Sequence, residues 1–320
     1  MYYFCMNLVE PKVEEIKITQ YGKKIEKAGR VCYKSDSNIS DTSYIKFIQN
    51  IVKSGHTSVL EHERVTFKLD LKTGINPFCN ISQEDHMKYF NISKDPKEEG
   101  VMYISANIRG WYEALKEDKD GKIPDNGIYT NLKTAYPFIF TKEVKDTYAD
   151  AEAKLVQTAE LISDINQIPA DIRDEHDSRT FEIVCSRACS HQLVRHRSLS
   201  FSQQSQRYCN FSIDKFGHSV DFIMPKFEEN LKVNKEIPTE VIKGAYKEYF
   251  EQSEDLYFNL IDAGLKPEDA RAVLPNAAAT TIVITGTTND WKKFIALRDD
   301  SHAQGEIREI AKKIRQKLNV

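Results

Sequence analysis

The chain has 320 residues, 40% of them hydrophobic and 10% aromatic, with 45 Lys and Arg against 48 Asp and Glu for a net charge of −3. That length can bury a full core, and that composition excludes general disorder. A protein that coats a polyanion carries a basic excess, because its affinity comes from neutralising many phosphates. This chain has no such excess, so a local anion site is favoured over a nucleic-acid-binding module.

The opening stretch MYYFCMNLVEPKVEE has neither a basic start nor a long apolar run, so no signal peptide is expected. No segment approaches the ~18 apolar residues of a membrane span. Six cysteines (Cys5, Cys32, Cys79, Cys185, Cys189 and Cys209) form no CxxC pair, and a reducing cytoplasm is the expected setting. Over Ser43–Ser54, Tyr44, Phe47, Ile48, Ile51 and Val52 share one helical face, and Gly55 suits the left-handed position that ends a helix. Arg64–Leu71 alternates Val65, Phe67, Leu69 and Leu71 with polar neighbours, the pattern of a half-buried strand. A charged, irregular region follows, and then a long helix is expected over Thr141–Ser163.

Phe181 opens a strand that turns helical near Ser186. Val220–Pro225 reads as a strand and Thr239–Ala263 as an amphipathic helix closed by Gly264, with Pro267 the first residue of a short helix after it. Ala279–Thr285 is a β-branched strand. Two helices follow, Asp290–Arg298 and Ser301–Leu318, the second with Ser301 as its N-cap. Strands and helices mix without a regular βαβ repeat, which predicts an α+β fold.

Four clusters carry the chemistry. LVRHRSLSFSQQSQRY, 193–208, sets Arg195, His196 and Arg197 side by side and Ser205 and Arg207 beyond a polar run. Guanidinium forks match phosphate geometry, and hydroxyl and backbone donors add to them. The bland alternative is a solvated basic turn. GHTSVLEH, 55–62, holds His56, Ser58, Glu61 and His62; its spacing is not that of HExxH and no cysteine or further histidine is near, so no metal is expected. LRDDSHAQGEI, 297–307, places Arg298 at a helix end, and DARAVLP puts Arg271 among apolar residues; singly, each is an ordinary junction or a structural ion pair. No GxSxG elbow exists and no cysteine has a partner signature, so none is expected to be a nucleophile, and Cys185, Cys189 and Cys209 are read as buried fillers.

Together the four clusters resemble the flavin-dependent thymidylate synthases. Their Arg-His-Arg, seven residues, then Ser signature is matched by Arg195-His196-Arg197 and Ser205, followed by Gln206, Arg207 and Tyr208. GRVCYKS, GHTSVLEH, ARAVLP and LRDDSHAQGEI are similar to family blocks and stand in the usual order. The resemblance covers about Glu26–Leu71 and Phe181–Ile314. It implies a mixed α/β subunit with an antiparallel-rich sheet, a single catalytic domain over 1–71 and 179–320, and an insertion over 72–178.

The implied reaction is reductive methylation of deoxyuridine monophosphate (dUMP) to thymidine monophosphate. Methylenetetrahydrofolate would give the one-carbon unit, FAD would carry the hydride and NADPH would be the reductant. The resemblance assigns His56, Ser58, Arg195, His196, Arg197 and Gln203 to FAD. Gln192, Arg195, Gln203, Gln204, Ser205, Gln206, Arg207, Arg271 and Arg298 fall to the nucleotide, with Arg298 the ring-activating residue. It further implies a homotetramer with flavin sites shared between subunits. The family's flavin hook, Asn-x-Arg and then Asn or His, is replaced here by Thr287, Asn289 and Lys293. YISANIRGWYEAL, 103–115, has the hook's own form in Asn107-x-Arg109, which makes those two residues candidate replacements. A flavoprotein of the same fold with altered chemistry is the alternative.

Overall fold

The computed structural model describes residues 6–70, 87–117, 127–141, 159–227 and 237–320. The expected α+β class holds: antiparallel sheets are flanked by helices. In the N-terminal part, β1 (Asn7–Leu8) and β2 (Lys12–Glu15) lead into helices α1 (Lys23–Val31) and α2 (Ser43–Lys53). Helix α2 ends as the periodicity predicts, with Gly55 at φ 77°. Gly29 of the GRVCYKS block lets α1 and α2 approach: a Cβ there would sit 2.6 Å from the Phe47 ring and 2.8 Å from Val59.

A first four-stranded sheet is made of β3 (Arg64–Asp70), β4 (Phe90–Lys94), β5 (Val101–Asn107) and β6 (Ala159–Leu161), in the order β4-β5-β3-β6. Helices α3 (Ile108–Glu117) and α4 (Ile128–Ala135) pack with it, and α5 (Ala170–Arg173) follows. The second sheet uses β7 (Ser178–Ser186), β8 (Ser200–Gln203) and β10 (Ala279–Thr287) with β2, in the order β2-β7-β10-β8; β9 (Asp221–Phe222) pairs with β1. Helices α6 (Arg187–Leu193), α7 (Thr239–Asp262), α8 (Pro267–Ala270), α9 (Thr288–Arg298) and α10 (Gly305–Leu318) complete the described residues.

Three expectations are corrected. The helix predicted over Thr141–Ser163 does not reach its end: Ala159–Leu161 is a strand, because its backbone completes the open edge of β3. Residues 142–158 lie outside the described residues. Ser301 does not cap the last helix, which begins at Gly305 behind Gln304 with no side-chain cap. The strand expected over Val220–Pro225 is only Asp221–Phe222, since β1 offers a two-residue partner.

The two sheets repeat one another. Each begins after a Glu-His pair, Glu61-His62 before β3 and Glu175-His176 before β7. In the first, Arg64 faces Asn107, Thr66 faces Ser105 and Phe67 faces Ile104. In the second, Ser178 faces Thr287, Thr180 faces Thr285 and Phe181 faces Ile284. β5 and β10 both run straight into a helix whose fourth residue is a buried tryptophan, Trp111 or Trp291. Trp111 meets Phe67 edge-on at 5.4 Å and donates to the Val65 carbonyl at 3.4 Å; Trp291 meets Phe181 at 5.0 Å and donates to the Arg179 carbonyl at 3.0 Å. Truncating either ring would cost about 3–5 kcal/mol on the scale of buried aromatics.

Matched hydrogen bonds lock the repeats together. His62 lies 2.8 Å from the Thr285 hydroxyl and 2.9 Å from that of Ser202; His176 lies 2.8 Å from Ser105 and 3.0 Å from Ser93. The first sheet's core extends onto α1 through Ile25, onto α2 through Ile48 and onto the turn before β3 through Leu60.

Candidate active site

The Arg-His-Arg triplet lies just after α6, which ends at Leu193, and not within it. The turn is closed by Arg195 N–H donating to the Gln192 carbonyl at 3.3 Å and Leu199 N–H to that of His196 at 3.0 Å. Arg195 and Arg197 are exposed, and His196 is half-buried with its ring edge-on to Phe294 at 4.8 Å. From the far end of α9, Arg298 Nε donates to His196 Nε2 at 3.0 Å. Burial and then the Arg298 charge push the His196 pKa below its ordinary value, so His196 stands neutral, with Nε2 as an acceptor.

The nucleotide candidates gather around the strand that follows. Gln203 Nε2 donates to Ser190 Oγ at 2.9 Å and to Thr280 Oγ1 at 3.2 Å, Gln192 donates to Gln304, and Gln204 N–H bonds the Thr281 carbonyl at 2.8 Å. Ser205 N–H is anchored to the Cys32 carbonyl at 3.0 Å, which ties GRVCYKS to the signature run. Arg207 and Arg271 meet at one residue: Arg207 Nε donates to the Glu268 carboxylate at 2.5 Å and Arg271 Nε to the Glu268 carbonyl at 3.1 Å. Arg187 is close enough that burial and then the Arg271 charge lower its pKa. Arg207 is paired with Glu268, whereas Arg187 and Arg271 have no carboxylate in salt-bridge range among the described residues, and guanidinium groups held near one another suit a phosphate.

A depression with a volume of about 470 Å³ lies between the two sheets. Its lining comes in repeat-related pairs: Arg64 and Ser178, Asn107 and Thr287, Asn91 and Ser200, Lys88 and Arg197. Lys293, Glu61 and Asp290 also line it. Asn107 accepts from Gly110 N–H at 2.8 Å and so caps α3, as Thr287 caps α9 by accepting from Asp290 N–H at 3.1 Å. Arg109 is not on this lining. It is engaged by Glu113 at 2.6 Å and Glu61 at 2.7 Å; burial alone would lower its pKa, and the hydrogen bonds to the two carboxylates hold it well above the ordinary value. Asn289 is likewise off the lining, its N–H donating to the Asp174 carbonyl at 2.9 Å. His56 and Ser58 are exposed in the turn before β3 and do not line the depression.

Residues 16–75 and 125–319 match the family described as thymidylate synthase complementing protein. The chain belongs to that family. It is 39% identical over 145 residues to the flavin-dependent thymidylate synthase of Pyrococcus furiosus, covering 45% of this chain and 55% of that protein. It is 42% identical over 138 residues to that of Geobacter sulfurreducens, covering 43% and 54%, and 42% identical over 141 residues to that of Sulfurisphaera tokodaii, covering 44% and 49%. These matches span about half the length of the curated relatives. The family match leaves 76–124 uncovered.

Sequence reasoning did not find Arg64, Lys88 and Asn91. A signal for the repeat was present, since EHERVTF at 61–67 and EHDSRTF at 175–181 agree at four of seven positions. Only the paired registers make that short likeness meaningful.

Proposed function

We propose that this chain catalyses the reductive methylation of dUMP to thymidine monophosphate in deoxynucleotide synthesis. The observation that carries the reading is the convergence of a fixed arginine, Arg298, with the Arg-His-Arg turn, in a chain that also holds a separate guanidinium cluster at Glu268. Bound FAD would supply hydride transfer, with NADPH as the reductant and methylenetetrahydrofolate as the one-carbon donor. The donor set fits such a cofactor: among the described residues, the depression between the sheets presents Arg64, Lys88, Arg197 and Lys293 against Glu61 and Asp290.

In this reading Arg207, Arg271 and Ser205 hold the nucleotide phosphate, with Arg187 adding positive potential. Gln192, Gln203, Gln204 and Gln206 orient the pyrimidine, Gln203 being pinned by Ser190 and Thr280. Arg195 serves both ligands. Arg298 spends Nε–H on His196 and keeps its terminal amino groups for the ring, where a guanidinium stabilises an anion without exchanging a proton. His196, Arg197 and Asn107 face the flavin, while His56 and Ser58 reach a flavin of another subunit in a homotetramer. Arg109 contributes through its hold on Glu61. No described helix is long and apolar enough to cross a membrane, and the even charge balance supports small-molecule rather than nucleic-acid ligands.

One observation favours a second reading, a flavoprotein of this fold with altered chemistry: Thr287, at the family's hook, turns its hydroxyl to Asp290 at 2.7 Å to close a capping box. Release of tritium from carbon 5 of labelled dUMP, with FAD, methylenetetrahydrofolate and NADPH each present or omitted, separates the two. Release that depends on FAD and folate supports synthesis. A yellow, flavin-bound protein that releases none supports the alternative.

A further inference from the structure

The first sheet repeats the second, which carries the signature run on β8, and it brings Arg64 to the shared depression with no carboxylate in salt-bridge range among the described residues. Arg64 Nε donates to Ser105 Oγ at 3.1 Å, and its terminal nitrogens donate to the Tyr89 carbonyl at 3.4 Å and to Asn91 Oδ1 at 2.6 Å. All three acceptors are neutral. Burial lowers the Arg64 pKa to about 10, opposed only in part by the more distant Asp290. Arg64 is half-buried, and a partly desolvated cation with no carboxylate beside it among the described residues is costly unless an anion joins it.

Both carboxylates among the described lining residues are already committed. Glu61 is held by Arg109 at 2.7 Å, and Asp290 closes the capping box of α9. Lys88 and Arg197, from matching places in the two repeats, add positive charge on the same surface. Arg64 also faces Asn107 directly across β3 and β5, at the register that pairs Ser178 with Thr287 in the other sheet. The repeat therefore presents an Asn and an Arg together where the second sheet has only Thr and Ser.

We propose that Arg64 binds the diphosphate of the flavin dinucleotide, supplying from the first sheet the guanidinium that the second lacks at Asn289. This rests on the reading of the chain as a flavin enzyme. Arg109 is then a positioning residue that keeps Glu61 from neutralising Arg64.

The test titrates FAD and riboflavin, which has no phosphate, into the full chain and follows flavin fluorescence, with dUMP affinity measured in parallel by calorimetry. Arg64→Gln should weaken FAD about 10- to 100-fold, the loss of a charge-assisted contact, while riboflavin and dUMP binding hold. Arg64→Lys, which keeps the charge and loses the fork, should fall between the two and guards against misfolding of the Gln variant. Unchanged FAD affinity in a folded Arg64→Gln or Arg64→Lys protein overturns the proposal and leaves the family reading intact. An equal loss for riboflavin also overturns it, by placing Arg64 on the ring system. Wild type that binds dUMP but no FAD removes the flavin reading itself, and the proposal with it.

Discussion

Arg298 reaches back from the end of α9 to donate its Nε–H to Nε2 of His196, 3.0 Å away and 102 residues earlier in the chain. The bond fixes both partners at once: the imidazole is held as an acceptor and the guanidinium is aimed by it. Removing Arg298 should thus affect chemistry more than folding. Arg298→Ala is expected to retain flavin and assembly while turnover falls about 100-fold or more, the scale of a lost electrostatic donor. The His196 pKa, followed by NMR, should rise in the same variant. Near-normal turnover in an intact assembly would remove Arg298 from the mechanism.

Arg207 and Arg271 converge on Glu268 from opposite sides of the chain. Each single Ala variant should weaken dUMP binding by about tenfold or more, as expected for one charge-assisted contact to a phosphate, with FAD content unchanged. Calorimetric titration of dUMP beside a flavin absorbance spectrum checks both statements. Loss of flavin with intact nucleotide affinity would move the residue to the other ligand.

His62 and His176 join the repeats and are both buried. Burial, with a smaller push from Lys24, holds His62 down to about 3; burial, with a push from Arg64, holds His176 down to about 4. Both folded-state values lie below the ordinary 6.5, so the unfolded chain binds the protons first as pH falls. The stability they contribute is fully present above pH ~6.5 and is lost on acidification toward about 4 for His176 and about 3 for His62. Together they add a slope of up to about 2.7 kcal/mol per pH unit. Urea unfolding between pH 7.5 and 5 should show this slope, and His62→Gln should reduce it by about one proton's worth. An unaltered slope in a folded His62→Gln protein would contradict the assignment.

Cys185, Cys189 and Cys209 are fully buried. The neighbouring Cys185 and burial raise the Cys189 pKa, and burial raises that of Cys209. Neither is placed to act as a thiolate. Replacing all three by Ala or Ser should preserve turnover in the fraction that folds. Complete loss of activity in a folded, flavin-bound triple variant would restore a cysteine nucleophile. Cys5 and Cys79 lie outside the described residues.

Local pattern determined much of this protein. The period of Tyr44, Ile48 and Ile51 set α2, the β-branched run from Ala279 set β10, and Pro267 and Gly264 marked a helix start and a helix end, because each depends on neighbours a few residues away. The family was also legible, since its signature is a matter of residue types and spacing. Long-range pairing decided the rest. Ala159–Leu161 became a strand because β3 had an open edge, and the last helix begins at Gly305, past the predicted Ser301 cap.

The clearest case is Arg64. In sequence it is one of the polar positions of an alternating strand, whereas Arg109 sits in a recognisable Asn-x-Arg. In the folded chain Arg109 is neutralised by Glu61 and Glu113, and Arg64 is the arginine left without a carboxylate beside Asn107. Which cation keeps its charge for a ligand depends on which acids fold against it. That is a property of the packed sheets and not of any short stretch of chain.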